Sequence, residues 1–60
     1  MTSNTAANIE RLKELAPIAK RNPDPAKRAA ANAELIRIYA ILAKAQKSGE
    51  VIPQIDMGAL

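Results

Sequence analysis

Two prolines separated by one residue, in the run Asn22-Pro23-Asp24-Pro25, divide this 60-residue chain more firmly than any other feature. Each pushes the residue before it out of the helical region, and Asn and Asp are good turn residues. A start signal follows at once. Asp24 can cap the first free N–H groups of a helix, and Pro25 fits the first helical position because its missing N–H loses nothing there. Ser48-Gly49 is the matching stop, since glycine accepts the left-handed conformation that closes a helix. These signals predict a helix over 25–47, about 35 Å long at a rise of ~1.5 Å per residue.

Before the break, the chain predicts a helix over 6–21. Thr2-Ser3-Asn4-Thr5 offers several possible caps, so a frayed start is expected there. Ile9, Leu12, Ala16 and Ala19 follow a three-and-four spacing with Leu15 beside them, and charged residues cover the other faces. Pro17 interrupts the pattern. It removes one helical hydrogen bond and presses on the carbonyl four residues back, at a cost of ~3 kcal/mol or more. Either the helix kinks at Pro17, or it ends near Leu15 and residues 17–21 form a separate turn. Ile18 falls off the apolar stripe, which a change of axis explains, so the kink is the favoured reading. A turn over 22–24 makes the two helices roughly antiparallel. The longer second helix, against a first helix of about 24 Å, is expected to overhang its partner.

The second helix is apolar on too many sides. Ala29, Ala30, Ala31, Ala33, Leu35, Ile36, Ile38, Tyr39, Ile41, Leu42 and Ala43 all lie between its start and stop. A helix packing on one neighbour needs a stripe of little more than ~100°. Around residues 35–42 the apolar arc is roughly twice that, so several sides must be covered. Size sharpens the point. At this length, burial worth ~25 cal/mol/Å² nearly cancels an entropy cost of ~1.5 kcal/mol per residue. Small chains escape through disulfides, metals or association. The chain has no Cys and no His, which excludes disulfides and the usual zinc sites, and its six carboxylates are scattered.

Association is the route left. The expected fold is an all-α helical hairpin with an extended apolar C-terminal tail over 50–60, completed by oligomerisation. The simplest form is an antiparallel four-helix dimer. The partner is a second copy or a larger protein. The expected interface comprises Leu35, Ile38, Tyr39, Ile41 and Leu42, with Val51, Ile52 and Ile55 from the tail. Small residues at Ala29, Ala33, Ala40 and Ala43 let backbones approach closely. The tail has something to bury, either on the overhanging helix or on a partner, while Pro53 and Gly58 argue against its being helical.

Nine Lys and Arg against six Asp and Glu give a net charge of +3. Lys20, Arg21, Lys27 and Arg28 flank the turn, opposed only by Asp24. Lys20 and Arg21 suit a helix C-terminus, whereas Lys27 and Arg28 sit in a first turn, where cations are disfavoured. The corner is therefore a candidate anion contact. Nucleic acid is the alternative partner. The chain lacks the third helix of a helix–turn–helix module, and its single aromatic residue, Tyr39, makes no stacking platform. A dimer could still track phosphates without reading sequence.

No catalytic or cofactor motif is present, and capping accounts for Ser3 and Ser48. The longest apolar run, residues 38–43, is far short of the ~20 needed to cross a bilayer. The first helix carries Glu10 and Glu14 and no Trp or Phe anchor, which argues against a membrane surface. The start has no signal-peptide pattern. The expectation is a cytoplasmic, non-catalytic interaction protein, acting as a small regulator, inhibitor or accessory subunit.

Overall fold

The computed structural model describes residues 2–60. Two helices, α1 (Ser3–Arg21) and α2 (Pro25–Lys47), pack against each other as a hairpin. A single 3-10 turn, Met57–Ala59, lies near the C-terminus, and among the described residues there is no strand. The hairpin measures 38 × 20 × 16 Å, and its long dimension is close to the length of α2 alone.

α1 starts three residues earlier than the sequence predicts. Thr2 is its cap, with the Thr2 hydroxyl accepting from the Thr5 N–H at 3.1 Å. The helix then continues unbroken through Pro17 to Arg21, so residues 17–21 are not a separate turn. Leu15 and Ala16, beside the proline, are both buried, and that packing offsets the lost hydrogen bond. Ile18 stays at the surface. Asn22 closes α1 in an extended conformation, as a residue before proline must, and its N–H donates to the Ile18 carbonyl at 3.2 Å.

The turn is held by its own polar groups. The Asn22 side-chain oxygen accepts from the Asp24 N–H at 2.9 Å, and the Asp24 carboxylate accepts from the Ala26 N–H at 2.9 Å. Pro25 takes the first helical position. At the other end, Gly49 adopts φ +98°, the Gly49 N–H donates to the Gln46 carbonyl, and the Glu50 N–H donates back to the Ala45 carbonyl at 3.1 Å. This six-to-one bond with a left-handed glycine is the Schellman arrangement. Nothing lies within 4 Å of a side chain at Gly49, so only its backbone angle demands glycine.

The core joins Ile9, Leu12 and Leu15 of α1 to Ala31, Leu35, Ile38 and Leu42 of α2. The two long sides of this seam close differently. On one, the tail runs back along the hairpin, and Ile52, Ile55, Met57 and Leu60 pack against the core together with Ala19. On the other, Arg11 bridges to Glu34 through two hydrogen bonds, at 2.6 and 3.3 Å, and also reaches Glu14 at 3.1 Å. At 100° per residue, Glu34 lies about 140° around α2 from Tyr39, which faces the tail.

The expected overhang is largely filled. The extra turn of α1 brings its start beside the end of α2, where the Glu50 carboxylate accepts from the Thr2 N–H at 3.0 Å and the Thr5 hydroxyl at 2.8 Å. Thr5 is the only buried polar residue among those described, at 2% exposure, and these bonds satisfy it. An acidic group at a helix N-terminus also suits the macrodipole. The two donations hold the Glu50 carboxyl below its usual range, with the Thr2 backbone N–H the largest cause.

Candidate interaction surface

α2 turns one face to the core and leaves a second apolar face without cover. Ala31, Leu35, Ile38 and Leu42 recur at intervals of three and four and are buried. Ala29, Ala33, Ile36, Ala40 and Ala43 follow the same rhythm on the opposite side of the helix, and every one of them is exposed. Ile36, at their centre, is 60% exposed, and Tyr39 beside it is 44% exposed. A helix with two apolar stripes on opposite sides can satisfy only one of them in a two-helix hairpin.

The accessible surface of the chain, 4184 Å², reflects this. A compact protein of 6.4 kDa is expected to expose roughly 3800 Å².

Beside this face lies an open groove of about 400 Å³, between α2 and the returning tail. Tyr39, Ala43 and Gln46 form one wall, Pro53, Ile55 and Met57 form the other, and Leu12 and Leu42 contribute to its floor. The Tyr39 hydroxyl donates weakly to Met57 Sδ at 3.9 Å. Two residues thus belong to both features, since Tyr39 and Ala43 sit at the edge of the uncovered face and also line the groove.

The residues expected at the interface separate into three groups. Leu35, Ile38 and Leu42 are buried in the hairpin's own core. Ile52 and Ile55 are half-buried, packed in the same chain. Tyr39, Ile41 and Val51 are exposed, Val51 most of all at 84%. Ile41 lies apart from Tyr39, on the flank that carries Lys44, Ala45 and the Thr2–Glu50 contacts. The sequence reading leaves Ile36 out of its interface set. Its signal was the phase it shares with Ala29, Ala33, Ala40 and Ala43.

The four cations of the turn do not converge. The Lys20 ammonium donates to the Met57 carbonyl at 2.6 Å and so ties down the tail. The Arg28 guanidinium donates to the Asn22 carbonyl at 2.8 Å and so braces the turn. Lys27 borders a separate hollow with Arg11, Ile18, Asn22 and Glu34. The Arg21 side chain borders neither hollow and makes no hydrogen bond among the described residues. Two of the four are thus engaged with main-chain oxygens.

Among the described residues, no three carboxylates cluster as a metal site would require, and no helix is long and apolar enough to cross a membrane. Comparison with protein-family models, with curated proteins and with solved structures finds no match to this chain.

Proposed function

We infer that this chain is a non-catalytic interaction module, a small regulator or accessory subunit that docks on protein through the outer face of α2. One observation carries the reading. Ile36 and Tyr39 lie exposed among in-phase alanines on a helix whose other apolar face is already buried. Exposed apolar faces of this kind mark interaction sites. The adjoining groove supplies a place for an anchoring side chain, which is how a few residues come to dominate an interface.

The hairpin closes a core of its own with the help of the tail, and the outer face of α2 lies outside that core. A second copy and a different protein are both admissible occupants. Sedimentation of the purified chain over a wide concentration range tests the reading, with Ile36→Asp as the comparison. Association that is present in the native chain and lost in a still helical Ile36→Asp variant supports it. Association unchanged by that substitution counts against the face.

Contact with nucleic-acid phosphates through Lys20, Arg21, Lys27 and Arg28 is the weaker reading. The basic excess favours it, while the donation of Lys20 and Arg28 to carbonyls weakens it. Its signature is steep loss of binding with added salt.

A further inference from the structure

The outer face of α2 carries its charge mainly on one edge. With Ala29, Ala33, Ile36, Ala40 and Ala43 as the seam, Arg37 and Lys44 each follow a seam residue and fall on the same edge, seven residues apart. Asn32, Tyr39 and Gln46 form the opposite edge, uncharged apart from Arg28 at its start, whose guanidinium donates to the Asn22 carbonyl, and Lys47 ends the seam itself. These flanking positions are where charge selects the partner of a packed helix. The sole acid of α2, Glu34, lies on the same flank one turn before Arg37, whose charge helps to lower its pKa, but it stands farther round from the seam and its carboxylate is held by Arg11. Among the described residues, Arg37, Lys44 and Lys47 take part in no ion pair, whereas Glu10 and Glu14 of α1 each pair with a neighbouring cation.

This pattern bears on what covers the face. An antiparallel second copy sets the basic edge against its own equivalent, so like charges meet. A parallel copy sets it against the opposite edge and brings Lys47 onto its counterpart. Neither arrangement supplies an anion. Building on the reading of α2 as a docking face, we propose that its occupant is an amphipathic helix of another protein. That helix has an apolar seam edged with Asp or Glu. Its carboxylates face Arg37 and Lys44, and an apolar side chain from it enters the groove between Tyr39, Ala43 and Ile55. The small residues of α2 allow close approach, while the charged edge fixes register and rejects basic helices.

Two synthetic helical peptides, each about three heptads long, provide the probe. Both carry Leu and Ala on the seam. One has Glu at every edge position and the other has Lys. Each is titrated calorimetrically into the full chain, with helicity recorded for every variant. The Glu-edged peptide is expected to bind at least about tenfold more tightly, as two edge contacts change from repulsive to attractive. Ile36→Asp should abolish that binding, and Arg37→Glu with Lys44→Glu should reverse the preference.

Equal binding of the two peptides overturns the acidic partner and leaves α2 as a docking face. So does a self-associated chain that Ile36→Asp dissolves. If a helical Ile36→Asp variant binds the Glu-edged peptide as tightly as the native chain, both readings fall. They also fall if the native chain is monomeric and binds neither peptide.

Discussion

Leu35 and Ile36 are adjacent in sequence and nearly equal in hydrophobicity, yet Leu35 is 4% exposed and Ile36 is 60% exposed. Their side chains point 100° apart on α2, Leu35 into the seam with α1 and Ile36 away from it. The difference separates two kinds of apolar residue. Leu35 contributes to folding the hairpin whether or not any partner exists. Ile36, mostly exposed, contributes little to the isolated chain and gains most when something covers it. Hydrophobicity alone therefore does not tell a core residue from a docking residue; the number of neighbouring elements does.

The sharpest way to break that comparison is truncation of each residue. Leu35→Ala should cost ~2–5 kcal/mol, enough to unfold a chain this small under mild conditions. Ile36→Ala should change stability by less than ~0.5 kcal/mol. Urea titrations followed by helicity decide it, and equal losses would erase the distinction between the faces. Asp24→Ala acts at the helix start and bears on both faces alike. It should cost ~1 kcal/mol, because the Ala26 N–H loses its acceptor. An unchanged urea midpoint would mean that Asn22 alone holds the turn.

A third prediction uses pH. Glu50 and Glu34 both titrate below the usual carboxylate range, Glu50 through donation from Thr2 and Thr5, and Glu34 chiefly through its hydrogen bond from Arg11. A carboxyl with a depressed folded pKa binds its proton more readily in the unfolded chain. Its contribution is therefore complete above about pH 4.5 and is lost as pH falls through the folded value. The urea midpoint should fall on acidification, and Glu50→Gln should flatten part of that fall. The variant should differ from the native chain at neutral pH and converge with it in strong acid. A parallel offset at every pH would place the effect outside Glu50 ionisation. The smallest effect is expected from Tyr39→Phe, which removes only a 3.9 Å contact to sulfur. A stability loss above ~0.5 kcal/mol would make Tyr39 part of the core and not of the outer face.

What the sequence made legible was local. The run Asn22-Pro23-Asp24-Pro25 announced the turn, and Asp24, Pro25 and Gly49 marked the limits of α2, because caps and prolines act within a few residues of themselves. The start of α1 was not legible. Four residues could have capped it, and Thr2 does so in a setting completed by Glu50, 48 residues away. Pro17 left a kink and a separate turn both open for the same reason. Its local cost is real, but it stands beside Leu15 and Ala16, whose burial depends on α2. The apolar tail signalled that it would be covered without indicating by what. On α2, stripes on opposite sides gave no basis for choosing the inner one, so Leu35, Ile38 and Leu42 were grouped with Tyr39 and Ile41. Within the broad arc, only its phase with the alanines on its side sets Ile36 apart.

The bonds from Thr2 and Thr5 to Glu50 span the largest separations along the chain of any side-chain hydrogen bonds here, 48 and 45 residues. A hairpin built mostly from neighbouring contacts is expected to fold within microseconds to milliseconds, beginning at the turn and zipping away from it. On that order the carboxylate is expected to meet the threonines only after the helices are paired, on the native side of the barrier. Interactions formed that late govern how fast the structure comes apart and barely alter how fast it assembles. This junction is therefore a latch on lifetime. Loosening Thr5 should steepen the unfolding limb of a kinetic chevron while the folding limb stays where it is.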